Sequence, residues 1–385
     1  MLISKIIGIN MKLLKNWCNP IALGILIISS QASHAEFKRF SASVGWLHVM
    51  PQGNANPLRV NTGVEEGRSS RVGLISGDTI RENIDESKTP TLSKNDRDVY
   101  NTITQPAIGG LPLYDYTLNS FLNGFGGNPE ALRDALTKLT GTADIYGLSA
   151  WNSNAGLEVE DVDTVGLMVD YYVNENVSVQ FMGGVPPEVD LKGKGQVYAP
   201  FSATGHPLGP NNNLYLKNDI LITDLDQYDT AASARAWTPA LQALYHFGKP
   251  GINKFRPFIG AGVMAAHYTD IEVGEGVEKD LIAAGHMIQN IYDGEAGGAL
   301  EGRVSSGDMR VKATANNAIA PILTLGFNYD FKQNWYATAS ISYAKLNNKT
   351  DITVTNRATG EELIHASTKI DVDPIITYAG IGYRF

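Results

Sequence analysis

Residues Ile319–Phe331 read IAPILTLGFNYDF, residues 332–334 read KQN, and Trp335–Leu346 read WYATASISYAKL. Leu323, Leu325, Phe327 and Tyr329 alternate with Thr324, Gly326 and Asn328. Past the turn, Ala337, Ala339, Ile341 and Tyr343 alternate with Thr338, Ser340 and Ser342. Successive side chains of a strand leave opposite faces, so a period of two marks a strand whose faces meet different surroundings. One face here is apolar and the other is small or polar, on two segments joined by a tight polar turn.

The same pattern recurs six more times. It appears at Phe40–Met50, Thr164–Val173, Val177–Pro186, Trp237–Phe247, Phe255–Thr269 and Asp371–Phe385. The connections then alternate in length. Residues 174–176, 248–254 and 332–334 are short, whereas about 51–163, 187–236, 270–317 and 347–370 are long. A soluble sandwich would alternate too, but short turns at one end and long loops at the other are the asymmetry of an outer-membrane barrel. Aromatic residues gather at the short-turn ends: Tyr171, Tyr172, Tyr245, Phe247, Phe255, Tyr329, Phe331, Trp335, Tyr336, Tyr383 and Phe385. Such rings settle at the headgroup level, so a periplasmic girdle is expected. The expected fold is all-β: an eight-stranded antiparallel transmembrane β-barrel with long extracellular loops, occupying residues 36–385. Both termini are expected in the periplasm of a Gram-negative bacterium.

Composition agrees. The 385 residues include 31 basic and 40 acidic ones and a single Cys, with 39 Gly. A net charge of −9 argues against a nucleic-acid binder, which needs a positive face. One Cys makes neither a disulfide framework nor a Cys-built zinc site. Mean hydropathy is −0.13, and no run approaches the roughly 18 apolar residues of a membrane helix. Residues 1–35 are read as a signal peptide, with Met11 a possible true start. Lys12 and Lys15 precede the apolar stretch Ile21–Ile28, and Ser33-His34-Ala35 offers a small-x-small cleavage site. Cleavage removes the one Cys and three Lys, leaving 28 basic against 40 acidic residues and a charge of −12.

The residues also carry a family resemblance. Lys254–Gly262 (KFRPFIGAG), Leu325–Tyr329 (LGFNY), Tyr245–Gly248 (YHFG) and the stretch from Asp373-Pro374 to Gly382-Tyr383-Arg384-Phe385 are similar to OmpW-type outer-membrane proteins, in order and in spacing from the turns. The resemblance covers the eight strands and little of the loops. It implies passage of small hydrophobic molecules across the outer membrane, through a narrow apolar lumen with a side opening toward the bilayer. The Leu and the Trp that narrow that lumen in the family fall on Met182 and Ser342. Met182 keeps the apolar character; Ser342 does not keep the aromatic, so the constriction is absent or built differently.

From the residues alone, an eight-stranded interior is filled by side chains or holds one small ligand. The inward phase supplies Met168, Met182, Leu244, Met264, Ile322, Ile376 and Tyr378 as an adaptable wall, with Gln180, Gln242, Thr324 and Ser342 as its polar members. Inward Gly166, Gly260, Gly262, Gly326, Gly380 and Gly382 are expected to leave room. Tyr171, Tyr245, Phe247, Tyr329, Trp335, Tyr383 and Phe385 are expected at the membrane interface. The terminal Phe385 is also the expected signal to the barrel-assembly machinery. Outer-membrane lipid and a small hydrophobic solute are the expected partners, with no nucleic acid, cofactor or metal.

In the first long loop, Asn128, Pro129 and Ala131–Leu136 up to Gly141 suggest a helix, in a segment that is either a folded cap or a mobile loop. Acidic runs at 158–163, 224–229 and 272–280 read as solvated loops, since none has the spacing of a calcium loop. Gly260–Ala265 fits G-x-G-x-x-A but sits within a strand pattern, where a dinucleotide fingerprint has no use. No catalytic motif appears, and Ser342, His48 and His267 lie on unrelated strands. The expected protein is a channel and not an enzyme. The alternative is a surface adhesion or receptor barrel that binds an extracellular ligand through its loops.

Overall fold

The computed structural model describes residues 38–106, 111, 115, 141–207 and 211–385. The leader, and the helix expected after Asn128, lie outside the described residues.

In chain order, β1 (Phe40–Met50) leads into a first excursion of β2 (Leu58–Thr62), β3 (Arg68–Arg71), α1 (Gly77–Glu82), α2 (Lys94–Thr104), β4 (Thr142–Tyr146), β5 (Ala150–Ser153) and β6 (Gly156–Val159). A hairpin follows, β7 (Val162–Tyr172) and β8 (Val177–Gly184). The second excursion is β9 (Glu188–Lys194), β10 (Gln196–His206), β11 (Leu214–Asp224) and β12 (Ala232–Trp237). It returns to β13 (Ala240–His246) and β14 (Phe255–Val273). The third holds α3 (Glu275–Tyr292), α4 (Ala296–Leu300) and β15 (Met309–Ala315), before β16 (Ala318–Lys332) and β17 (Trp335–Ala344). The fourth is β18 (Asn347–Asn356) and β19 (Glu362–Asp371), and β20 (Ile375–Arg384) ends the barrel.

The eight expected strands are β1, β7, β8, β13, β14, β16, β17 and β20, paired antiparallel in that order. β1 pairs with β20 to close the ring. Local chemistry makes the short turns. Asn174 Oδ1 accepts from the backbone N–H groups of Asn176 and Val177, each at 2.9 Å, and Asn334 takes the left-handed conformation at φ 69°. Alternation becomes exposure: Leu323 is 63% exposed and its neighbour Thr324 2%. A belt of exposed Val, Leu, Ile and aromatic side chains rings the barrel, far beyond what a water-soluble surface carries. In lipid that belt is the favourable surface, and the closed sheet leaves no edge unpaired.

Strand limits differ from expectation by more than two residues at three places. Trp237 belongs to β12, because Pro239 interrupts the run. β14 continues four residues past Thr269 to Val273. Asp371 ends β19, and β20 starts at Ile375.

The described parts of the long connections build a folded head, the folded one of the two alternatives left open for the first of them. One four-stranded sheet runs β11-β10-β4-β3, a five-stranded one runs β15-β18-β19-β2-β5, and β12, β9 and β6 extend the barrel wall from the upper part of β14. α3 sits in the middle of the head, with Val277, Leu281, Ala284, Met287, Ile288 and Ile291 buried. Its buried polar groups are matched. Asn356 Nδ2 donates to Gln289 Oε1 at 2.9 Å, and Asn290 Nδ2 donates to the Arg303 carbonyl at 2.6 Å. Gly285 lets the helix approach the sheet, since a Cβ there would lie 2.8 Å from Val354 Cγ1. The acidic run 272–280, expected as solvated loop, spans the end of β14 and the first turns of α3. Glu275 and Glu278 there complement the positive end of the helix.

Candidate functional site

All eleven expected lumen residues face the barrel interior and are buried: Met168, Gln180, Met182, Gln242, Leu244, Met264, Ile322, Thr324, Ser342, Ile376 and Tyr378 are each at most 4% exposed. The sheet register explains their grouping. Met182 faces both Met168 on β7 and Ala240 on β13, Ala240 faces Met264, and Ser342 faces Thr324 and Ile376.

The interior has two zones. Nearest the short-turn rim lies a hydrogen-bonded floor. Asp170 accepts from Ser41 Oγ at 3.2 Å and Gln180 Nε2 at 3.0 Å, and Ser41 in turn accepts from Tyr336 OH at 3.1 Å. Ser178 Oγ lies 2.8 Å from His246 Nε2. Arg256 Nη2 donates to the Glu175 carbonyl at 2.5 Å. Arg384 Nη1 donates to Asp330 Oδ1 at 2.7 Å while its guanidinium lies 4.5 Å from the Tyr336 ring centroid. Above these, Thr324 Oγ1 donates to Gln242 Oε1 at 2.5 Å and accepts from Ser342 Oγ at 2.7 Å. Gln180 Oε1 and Gln242 Nε2, on facing residues of β8 and β13, are buried without a partner. Farther from the rim the wall is apolar, with Met168, Met182, Met264, Ile322 and Ile376 beside Ala240, Ala320 and Ala344.

Two expectations need correction. Five of the six inward glycines, Gly166, Gly260, Gly326, Gly380 and Gly382, do not leave room, because rings and branched side chains lie over them. A Cβ on Gly382 would stand 2.3 Å from Tyr336 Cζ, on Gly326 2.4 Å from Phe258 Cζ, and on Gly260 2.1 Å from Leu244 Cδ2. Tyr378 lies over Gly380 and Gly166, with its OH donating to Ser43 Oγ at 3.0 Å. Aromatic groups therefore do fill the interior, from Tyr378, Tyr336 and Phe258 and not from position 342. Second, Tyr172 and Tyr336 are not on the outer girdle; both point inward and are 2% exposed. Their inward phase was visible in the alternation, since each follows an outward aromatic, Tyr171 and Trp335. His246 lies on the inward face as its alternation implies, and Arg256 and Phe258, outside the expected set, share that phase on β14.

The outward aromatics sit at the short-turn rim in contact with one another. Phe40–Tyr171, Tyr245–Phe247, Trp335–Tyr383 and Tyr383–Phe385 have ring centroids 5.0–5.3 Å apart, and Tyr329 lies on the same outer face. Gly260 and Gly262 lie mid-strand in β14, away from any helix. Ser342 is inside the barrel, whereas His48 Nδ1 is 2.8 Å from Asp163 and His267 Nδ1 is 2.7 Å from Asn317 at the other end of the wall. The structure does not bring these three together. No cluster of metal-ligating side chains occurs among the described residues.

A family model described as the OmpW family matches residues 281–385, which include β16, β17 and β20. The outer membrane protein AlkL of Ectopseudomonas oleovorans is 23% identical over 233 residues, covering 60% of this chain and 70% of that protein. Among solved structures, the outer membrane protein OprG of Pseudomonas aeruginosa aligns over 90% of this chain and 96% of its own, at 12% identity and a TM-score of 0.43. AlkL in lipid bilayers aligns over 93% and 95%, at 15% identity and a TM-score of 0.37.

Proposed function

We propose, for a chain that belongs to the OmpW family of outer-membrane β-barrels, that it passes small hydrophobic molecules across the outer membrane. One observation carries this reading. Met168, Met182, Met264, Ile322 and Ile376 of the upper barrel belong to the same buried apolar cluster as Leu281 and Ile288 of the head. Apolar packing therefore runs without a break from the head to the middle of the barrel, and thioether side chains there can re-pack around a solute. Below, the polar floor offers it nothing. Displacing its hydrogen bonds would leave buried groups unpaired at roughly 1–3 kcal/mol each. Sideways exit into the bilayer is then the easier course, as the family resemblance implies.

On this reading the head is extracellular, the short-turn rim with its aromatic girdle is periplasmic, and Phe385 addresses the chain to the barrel-assembly machinery. The lumen residues guide a solute and catalyse nothing; the separation of Ser342, His48 and His267 supports that.

The test is uptake. A strain lacking the protein should import a small hydrocarbon more slowly than the complemented strain, with a hydrophilic solute unaffected. Equal rates for both solutes in both strains would end the proposal. A second reading, a receptor or adhesin, is favoured by the long connections folding into ordered sheets around α3. It requires that removing the first excursion abolish a cell-surface interaction while hydrocarbon uptake stays intact.

A further inference from the structure

The chain is acidic, with a net charge of −9, yet one face of the head is basic. It is the outer face of the sheet β15-β18-β19-β2-β5. The inner face, with Val60, Ile352 and Ile364, closes an apolar cavity of about 60 Å³ against α3. Alternation then sends Arg59, Arg310, Lys312, Lys349 and Lys369 outward, all exposed, against the acids Asp351, Glu362 and Asp371. Those acids are already engaged. Asp351 Oδ1 lies 2.8 Å from Lys349 Nζ and 3.1 Å from His365 Nε2, Asp371 Oδ1 lies 2.8 Å from Lys369 Nζ, and Glu362 Oε1 lies 3.1 Å from His365 Nδ1. Arg59, Arg310 and Lys312 have no ion pair among the described residues. Lys349 and Lys369 stand directly opposite each other in the register, where like charges repel. Thr314, Thr353, Thr355, Ser367 and Asn61 lie between the bases and can bond sugar hydroxyls.

Position indicates the partner. On β17, Ile341 and Tyr343 face lipid, 50% and 43% exposed. The same phase runs on through exposed Lys345 into Lys349, Asp351 and Thr353 of β18. The basic face is thus the lipid-facing wall continued past the apolar belt. On the flank across the ring, where β9 and β12 extend the wall, acids outnumber bases: Asp161, Asp163, Glu188, Asp190, Asp270 and Glu272 are exposed, against Lys192, Lys194 and Arg235. We propose that the outer face of the β15-β18-β19-β2-β5 sheet docks an anionic glycolipid of the outer leaflet, through the phosphates and carboxylates of its sugar core. The proposal rests on the head being extracellular. The acyl chains lie along β17 and β20, and the core stands against the sheet above them. The guanidinium forks of Arg59 and Arg310 suit phosphate and carboxylate. An anion lodged between Lys349 and Lys369 relieves their repulsion. A zwitterionic phospholipid has no net charge to offer and a headgroup too short to reach Arg310.

The experiment uses the full chain in phosphatidylcholine nanodiscs doped with a rough lipopolysaccharide, either intact or stripped of its core phosphates. Native mass spectrometry counts glycolipid bound per barrel, and the mole fraction at half occupancy measures affinity. The intact form should bind about tenfold more tightly and lose that advantage as ionic strength rises. The variant Arg59→Gln/Arg310→Gln/Lys312→Gln strands no acid. It should weaken binding of the intact form about a hundredfold, at about fivefold for each lost charge. The variant Lys192→Gln/Lys194→Gln/Lys217→Gln removes the same charge from other faces and should change affinity by less than about twofold. Equal effects of the two variants, or equal binding of the two glycolipids, overturns the proposal. So does a heparin fragment that displaces the embedded glycolipid at equal affinity, which would make the partner a free polyanion. Orientation is checked separately, by labelling Thr314→Cys on intact cells with a membrane-impermeant maleimide. Labelling is expected; its absence overturns the extracellular head and with it docking in the cell, whatever the nanodiscs show.

Discussion

Replacing Ile288 by Ala tests whether the head is a packed fold or a set of loops at rest on one another. Ile288 is fully buried at the centre of α3. The change removes three carbons, which at ~0.8 kcal/mol each gives ~2.4 kcal/mol of lost transfer energy. It also leaves about 70 Å³ of new void, and at about 24 cal/mol per Å³ this adds ~1.7 kcal/mol. Neighbours that collapsed inward would reduce the second contribution. The existing cavity of about 60 Å³ beside Ile288 indicates that they do not collapse. The expected loss is therefore about 4 kcal/mol, within the usual range for such a truncation. Native-state hydrogen exchange in nanodiscs reads it directly, as lowered protection of α3 together with β15, β18 and β19, which pack on it. Exchange in the barrel strands should not change. A loss below about 1 kcal/mol, or one confined to α3 itself, would refute the argument that the helix is the head's core.

Three further outcomes are expected. Gly382→Val drives a side chain into the Tyr336 ring and should reduce the folded fraction by roughly 1–3 kcal/mol, with Tyr336→Ala restoring it; urea titration of refolded barrel reads both. Ile322→Lys puts a charge into the apolar wall and should bring hydrocarbon uptake down toward that of the deletion strain, while the barrel still assembles as judged by its heat-modifiable gel migration. Glu66 accepts from Ser149 Oγ at 2.6 Å and from the Gly147 N–H at 3.0 Å, and these bonds hold its carboxyl below the usual range. A depressed folded value means that this contribution to stability is present above pH 4.5 and is lost as pH falls through the folded value. Ser149→Ala should move the Glu66 titration back up toward the ordinary value, seen in its carboxyl carbon shift.

The barrel was legible because lipid on one side and a filled interior on the other give each strand two unlike faces. Thirteen residues of Ile319–Phe331 carry that signal almost unbroken. The head strands lack it. β3, β5 and β6 have four residues each, too few for a period to show. α3 does carry a helical spacing, in Val277, Leu281, Ala284, Ile288 and Ile291, but it begins inside an acidic run whose composition is that of a solvated loop. The covering of the glycines is hidden for a different reason. Tyr336 lies over Gly382 because the register of β17 and β20 sets them opposite, and register between distant strands is not written in either strand alone.

The head's sheets join pieces from different excursions. β2 pairs with β19 some three hundred residues along the chain, and β3 and β4 complete a sheet with β10 and β11. Among the described residues, no single excursion contains a whole sheet. The head therefore cannot fold piecemeal as the chain emerges, and its apolar segments must be kept from one another until the last pair of strands has arrived. For the same reason its loops are not interchangeable parts. An exchange of one excursion with a relative's would strand the partners of every strand it removed, so diversification of this surface has to proceed by side chain and not by segment.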